Sequence, residues 1–158
     1  MSDVSAMERL QALGIVLPEA SKPAARYTNY VLAGNLLFIS GKGPASMPKG
    51  KLGIDYSTEE GYKYACLAGL EVLAVLTEAL GSLNRVKQVV KIQGFVNAGP
   101  EFEEHHKVLD GCSDLMLDVF GDRGVHARSV LGASSLRDNL PVIIDSVFEV
   151  EPNQSAAI

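Results

Sequence analysis

The sequence is short of several residue types that would point to particular classes of protein. Of its 158 residues two are cysteine and none is tryptophan, and the cysteines do not form a C-x-x-C pair. Disulfide frameworks and cysteine-based zinc sites need several closely spaced cysteines, so neither is indicated. Cys66 and Cys112 each lie among apolar residues at helical spacing, which is typical of buried, reduced thiols.

Basic clusters and long apolar runs are also missing. The formal net charge is −5 and no run of five basic residues occurs, which argues against nucleic acid as a partner. No stretch approaches the about 18 apolar residues of a membrane span. The first ten residues, MSDVSAMERL, lack the apolar core of a signal peptide. We therefore expect a cytoplasmic protein with neither a membrane nor a nucleic-acid partner.

What is present is a clear alternation of helical and strand patterns. Capping boxes, Ser5 with Glu8 and Ser57 with Glu60, mark the starts of a short leading helix and of a long one. A second long helix is predicted to begin at Pro100. With five β-rich stretches, the order after the leading helix is β-β-α-β-α-β-β. This order predicts an α+β fold with two long helices on one face of a mixed sheet.

The strands are apolar on both faces. YVLA, LLFIS and PVIIDSVF carry apolar residues on both alternating sets, more than a sheet with one wet face requires. Packing of the sheets of several subunits against one another would account for this pattern. The strands therefore predict an oligomer.

No internal repeat or linker divides the chain. We assign residues 1–22 to an N-terminal helix and extended lead-in, residues 23–152 to a single domain and residues 153–158 to a tail. Within the domain, the Gly- and Pro-rich residues 43–56 form a loop of the length usually reserved for function or for contact with a partner.

Two charged residues lie in otherwise apolar strands. Arg128 lies within GVHARSVLGASSL and Asp145 within IIDSV, and a buried charge is costly without a partner. A structural salt bridge between Arg128 and Asp145 is one explanation. A ligand site is the other, and from composition alone the salt bridge is slightly favoured.

Other motifs favour structural interpretations. His105 and His106 are adjacent, so on a helix their rings point about 100° apart and do not share one metal ion easily. The glycines of GNLLFISGKG match neither the P-loop nor the dinucleotide fingerprint. The sequence therefore indicates no metal site and no cofactor.

Two longer motifs resemble a known family. HARS, followed by an apolar strand, a polar turn and PVIIDSVFEV, resembles the C-terminal signature of the YjgF/RidA family, also labelled endoribonuclease L-PSP-like. Tyr27, seven residues before GNLLFISGKGP, is similar to that family's tyrosine followed by G-N-x-x-x-x-S-G-x-x-P. Together with the intervening lengths, the resemblance covers residues 23 to 150.

The resemblance implies a chorismate-mutase-like fold and a homotrimer whose sheets line a central barrel, with clefts between subunits. It implies that Arg128 anchors a ligand carboxylate, a role suited to a planar fork of donors. Further contacts fall on Tyr27, Ser40, Gly41 and the backbone near Val130. The implied reaction is hydrolysis of enamines and imines to 2-keto acids, so the expected partner is a small 2-keto or imino acid.

The sequence departs from this family at three places. The glutamate thought to position water corresponds to Ile143, and Asp145 lies two residues further on the same strand face, roughly 6–7 Å away. A helix asparagine corresponds to His106, whose neutral ring can act as acid or base near pH 7. The loop at residues 43–56 is longer than usual. Two functions stay open: a deaminase using Arg128 with Asp145, or a trimer that binds carboxylates without turnover.

Overall fold

The computed structural model describes residues 4–152, so the predicted tail at residues 153–158 lies outside the described residues. Three helices and five strands follow one another in the predicted order. The helices are α1 (Ala6–Ala12), α2 (Thr58–Leu80) and α3 (His105–Phe120). The strands are β1 (Tyr30–Ala33), β2 (Leu36–Lys42), β3 (Val86–Asn97), β4 (Ala127–Ala133) and β5 (Val142–Val150).

The five strands form one mixed sheet in the order β1-β2-β5-β3-β4. Only β3 and β4 run parallel, and the other neighbours are antiparallel. Alternate residues of the central strands are buried beneath α2 and α3, with Phe148 of β5 and Ile92 of β3 among the most completely buried. The predicted α+β fold, with both long helices on one face of the sheet, is confirmed.

The two long helices approach each other closely at glycines. A Cβ atom on Gly69 would lie 2.9 Å from Cδ2 of Leu115 and 3.2 Å from Sγ of Cys112, and one on Gly111 would collide with the carbonyl of Tyr62. Gly69 therefore permits close packing of α2 against α3, because it faces the neighbouring helix.

The predicted start of the second long helix is wrong. α3 begins at His105 rather than Pro100, because the chain first makes a turn in which the Phe102 amide donates to the Gly99 carbonyl (3.1 Å). On α2, Tyr62 is exposed, and its hydroxyl donates to Asp114 of α3 at 2.6 Å.

The capping box at the start of α2 offers a direct stability test. Ser57 Oγ accepts from the Glu60 amide (3.2 Å), and the Glu60 carboxylate accepts from the Ser57 amide (3.1 Å). Ser57→Ala should lower the free energy of unfolding by about 1 kcal/mol, measured by urea denaturation, because an amide of the first turn loses its acceptor. Ser57→Asp retains an acceptor and should stay close to the parent protein. Equal losses in both variants would show that the cap contributes nothing.

The sheet face away from the helices is open and carries several exposed apolar side chains. Phe38 and Leu36 of β2, Val31 of β1 and Leu131 of β4 all point to this face and are exposed. The strands are thus apolar on both sides, as predicted. Within residues 4–152, none of the helices combines the length and the apolar content needed to cross a membrane.

Candidate functional site

Arg128 lies on the edge strand β4 and points toward α3. Arg128 is paired with Ile92 of β3, and residues paired across neighbouring strands form a row whose side chains point to the same face. Ile92 is buried beneath the helices, so the Arg128 side chain also leaves the sheet on the helical face. Nη1 lies 2.9 Å from Asp110 Oδ1 and donates to Ser113 Oγ at 3.1 Å. Nη2 donates to the His106 carbonyl at 3.2 Å. One face of α3 therefore fixes the guanidinium.

These contacts leave part of the guanidinium free. Arginine has five N–H donors, and two of those on Arg128 are donated to α3, one from Nη1 to Ser113 and one from Nη2 to the His106 carbonyl, while Asp110 forms an ion pair with Nη1. The Nε–H and one Nη2–H make no hydrogen bond to any residue between 4 and 152, and the side chain is 26% exposed. Two neighbouring donors of this kind match the two oxygens of a carboxylate.

A second layer of hydrogen bonds holds Ser113. The His126 Nδ1 lies 2.6 Å from the Gly124 carbonyl, which can only accept, so this nitrogen carries a proton. In the neutral ring Nε2 is then an acceptor, and it lies 2.9 Å from Ser113 Oγ. The bonds run in one direction, from Arg128 to Ser113 to His126 to Gly124. This series of hydrogen bonds fixes the rotamer of Ser113 and, through it, the position of Arg128.

The proposed salt bridge between Arg128 and Asp145 is wrong. Strand β3 lies between β4 and β5, and Asp145 is paired with Gln93 in the row next to that of Arg128. Neighbouring rows point to opposite faces of a sheet, so Asp145 faces the open side. The partner of Arg128 is Asp110, on a helix rather than a strand.

Ser40 and Gly41 form a bulge in β2 opposite Asp145. Ile39 pairs with Ser146 and Lys42 with Ile144, so the two residues between them on β2 face one residue on β5. A Cβ atom on Gly41 would lie 2.8 Å from Cγ2 of Ile143. Only glycine therefore fits beside that isoleucine, and Ile143 and Asp145 flank the same bulge.

Tyr27 belongs to the same group. Ser40 Oγ donates to the Thr28 carbonyl (2.6 Å), and the Ser40 amide donates to the Asn29 carbonyl (2.9 Å), so the segment before β1 lies against the bulge. Tyr27 itself is exposed. The structure therefore places the segment that carries Tyr27 beside the Ser40–Gly41 bulge, which is itself opposite Asp145.

The Asp145 carboxyl lies in an unusual environment for an acid. It is partly buried in the open face, and burial raises its pKa above the usual value, with Lys91 opposing the shift. A carboxyl with a raised pKa exchanges its proton closer to neutral pH, which suits general acid or base chemistry.

The candidate residues thus form two separate groups. Arg128, the backbone of Val130 and the exposed His106 lie at the β4 edge, and Tyr27 with the bulge lies beyond two intervening strands. Three strand spacings separate β2 from β4, roughly 14 Å. One chain therefore does not assemble all the residues into one pocket.

Of the residues that hold Arg128, sequence reasoning singled out His106 but missed Asp110 and Ser113. His106, Asp110 and Ser113 recur at spacings of four and three, so they share a face of α3. This polar face lies beside the apolar stripe and is the signal that could have identified them. Within the described part of the chain, no three His, Cys, Asp or Glu side chains are grouped as metal ligands.

The protein has two long helices on one face of a mixed sheet, an open opposite face with exposed apolar side chains, a bulged second strand and an arginine held by a helix at the sheet edge. Its fold is chorismate-mutase-like. Residues 7–146 match the family described as "YjgF/chorismate mutase-like, putative endoribonuclease", and the chain belongs to this family. The family predicted from the HARS and GNLLFISGKGP motifs is therefore confirmed.

Its relatives match along nearly their whole length. Protein TCP17 of Trypanosoma cruzi is 41% identical over 146 residues, covering 89% of this chain and 91% of TCP17. A crystal structure of an Agrobacterium tumefaciens protein of unknown function is similar with a TM-score of 0.86 and 36% identity, covering 92% of each chain. A "putative endoribonuclease" from Shewanella oneidensis gives a TM-score of 0.90 and 34% identity, covering 93% of this chain and all of its own.

Proposed function

We propose that the protein is a cytoplasmic homotrimer that binds small 2-keto or imino acids between subunits and hydrolyses enamine and imine intermediates to 2-keto acids. One observation carries this proposal: Arg128 is fixed by α3 and keeps two neighbouring N–H donors free for a carboxylate. A preoriented guanidinium binds a carboxylate at a smaller cost in side-chain entropy than a mobile one.

The separation of the two groups supports a site at a subunit boundary. Arg128 is at one edge of the sheet and Tyr27 near the other, so they can meet only when a second chain is placed beside the first. The exposed apolar face of the sheet supports the same assembly, because packing sheets of three subunits together would remove it from water.

The chemistry requires a group that activates water. In the proposed reaction water adds to the imine carbon, the C–N bond breaks, and ammonia leaves as the 2-keto acid forms. Asp145, opposite the Ser40–Gly41 bulge, is the candidate base that accepts the proton of water.

A second function, binding without turnover, is favoured by Ile143. This side chain lies against Gly41 at the position of the family's glutamate, and it can neither accept a proton nor hold a water. The endoribonuclease description of the family is not extended to this chain, because a net charge of −5 opposes binding to RNA.

A deamination assay separates these functions. Freshly generated 2-aminoacrylate is mixed with the protein, and formation of the keto acid is followed against the uncatalysed rate. Catalysis that Arg128→Ala abolishes supports the deaminase. Tight keto-acid binding with no acceleration supports the binding protein, and the absence of both refutes the proposal.

The pH profile tests Asp145 as the base. A base must be ionised, so the activity should fall as the pH falls through the raised pKa of Asp145. Asp145→Asn should lower kcat roughly 100-fold and remove this fall in activity at low pH. Gln93→Glu, which places a second carboxylate on the paired residue of β3, should move the fall in activity to higher pH by like-charge repulsion. A normal pH profile in Asp145→Asn would exclude Asp145 as the base.

The same substitution should slightly stabilise the fold near neutral pH. An Asp whose folded pKa is raised contributes stability below its usual pKa of 3.8, and this is lost as the pH rises through the folded value. Because the group is partly exposed, the gain in Asp145→Asn should stay below about 1 kcal/mol. Thermal melts at pH 7 and pH 3.5 measure it.

A further inference from the structure

Two buried charged residues take no part in the chemistry proposed above. Lys42 is 5% exposed and Glu71 is 2% exposed. The Lys42 ammonium has three donors, and all three are used: Nζ donates to Asn29 Oδ1 at 2.7 Å and to both the carbonyl and the hydroxyl of Ser21 at 3.2 Å. The ammonium is therefore fully satisfied by the protein.

Glu71 of α2 reaches the same residue from the other side. Its Oε2 accepts from the Ser21 amide at 3.3 Å, and Asn29 Nδ2 donates to the Ser21 carbonyl at 2.8 Å. Ser21 is thus held between a cation on β2 and an anion on α2. Burial lowers the pKa of Lys42, and Glu71 opposes this shift. We call Ser21, Asn29, Lys42 and Glu71 the Ser21 clamp.

The clamp closes the segment that carries Tyr27. Ser21 and Asn29 bracket this segment, and the bond between them joins its two ends. Lys42 follows the Ser40–Gly41 bulge directly in sequence, and Ser40 contacts the carbonyls of Thr28 and Asn29. The same short stretch of β2 therefore holds the Tyr27 segment and forms the bulge.

Holding a loop with buried charged side chains costs free energy. Removing a buried ion pair from water costs several kcal/mol per ion, and apolar side chains of similar volume are often as stable. Lys42 and Glu71 form no direct ion pair, but each is hydrogen-bonded to Ser21, and these directional bonds fix the geometry of the segment. The segment that it fixes here carries a side chain of the proposed ligand site.

We propose that the Ser21 clamp sets the position of Tyr27 against the ligand, so that Lys42 and Glu71 are positioning residues of the site. The inference rests on the proposed function, because it requires that Tyr27 contacts the bound carboxylate ligand. It adds two residues, buried behind the site, on which ligand affinity depends.

The test removes both charges together. Lys42→Met with Glu71→Met leaves no unpaired buried charge, and thermal melts establish the temperature range in which this charge-free variant is folded. In that range pyruvate should bind about tenfold more weakly than to the parent protein. Tyr27→Ala should show a similar loss. Adding Tyr27→Ala to the charge-free variant should cause little further loss, because both changes remove the same contact.

Lys51→Met is the matched control. Lys51 lies in the loop at residues 43–56, and its Nζ donates to Asn97 Oδ1 (2.7 Å) and to the Ser134 carbonyl, so this variant loses similar hydrogen bonds away from the Tyr27 segment. It should bind pyruvate normally.

Three results would overturn the inference. The first is normal pyruvate binding by the folded charge-free variant. The second is that its loss of affinity and that of Tyr27→Ala multiply in the combined variant. The third applies if the charge-free variant does not fold: it is normal pyruvate binding by Asn29→Ala, which removes two bonds of the clamp without changing a charge. A parent protein that binds no carboxylate refutes the proposed function itself, which is a separate outcome.

Discussion

Replacing Arg128 with alanine should weaken the binding of a 2-keto acid by roughly 1.5–3 kcal/mol, or about 10- to 150-fold. The loss is that of a charge-assisted pair of hydrogen bonds from the free Nε–H and Nη2–H donors. Arg128→Lys should not restore the affinity fully, since an ammonium cannot make two parallel bonds. Isothermal titration with pyruvate measures the effect.

Asp110→Asn separates a ligand contact from a merely structural role. The ion pair between Asp110 and Arg128 is partly exposed, at 46% and 26%, so its loss should cost no more than about 1 kcal/mol of stability. Ligand binding should be kept or strengthened, because the anchor loses a competing carboxylate. If Arg128→Ala binds pyruvate normally but loses stability, Arg128 serves only to join β4 to α3.

Replacing Phe38 with aspartate should convert the proposed trimer into monomers and abolish ligand binding. Phe38 is 44% exposed on the open face, between Val31 and Val147 of the neighbouring strands. A carboxylate buried there in three copies would cost several kcal/mol each without a partner. The monomer should stay folded, because Phe38 points away from the core beneath the helices.

Light scattering gives the readout for this variant. The parent should have three times the chain mass of 16.8 kDa, and Phe38→Asp should have the mass of one chain. Val16→Asp is the control, since Val16 is an apolar residue outside the sheet that is 91% exposed. The proposed trimer is contradicted if the parent protein is a monomer, or if Phe38→Asp forms a trimer that binds pyruvate normally.

The local patterns of the sequence predicted the elements well where a physical signal marked them. The Ser57–Glu60 capping box gives the start of α2, because the two bonds of that box are local. The start of α3 was misplaced because Pro100 suits a first helical turn as well as the turn that the chain makes there.

The pairing of the site residues could not be obtained in the same way. Arg128 was identified by its motif, but its partner depends on which strands are neighbours. The insertion of β3 between β4 and β5 is a long-range feature that separates Arg128 from Asp145 and leaves Asp110 as its partner. The Ser21 clamp was missed for a similar reason, since Lys42 and Glu71 meet only through a residue of the lead-in.

A mixed assembly of two defective variants tests the central claim most directly, namely that each site combines Arg128 of one subunit with Tyr27 of another. Arg128→Ala and Tyr27→Ala chains are unfolded together in equal amounts, refolded, and titrated with pyruvate. If sites lie between subunits, about a quarter of them should receive both intact residues and regain the parent affinity. If no sites regain the parent affinity although mixed trimers form, Arg128 and Tyr27 do not act together across a subunit boundary.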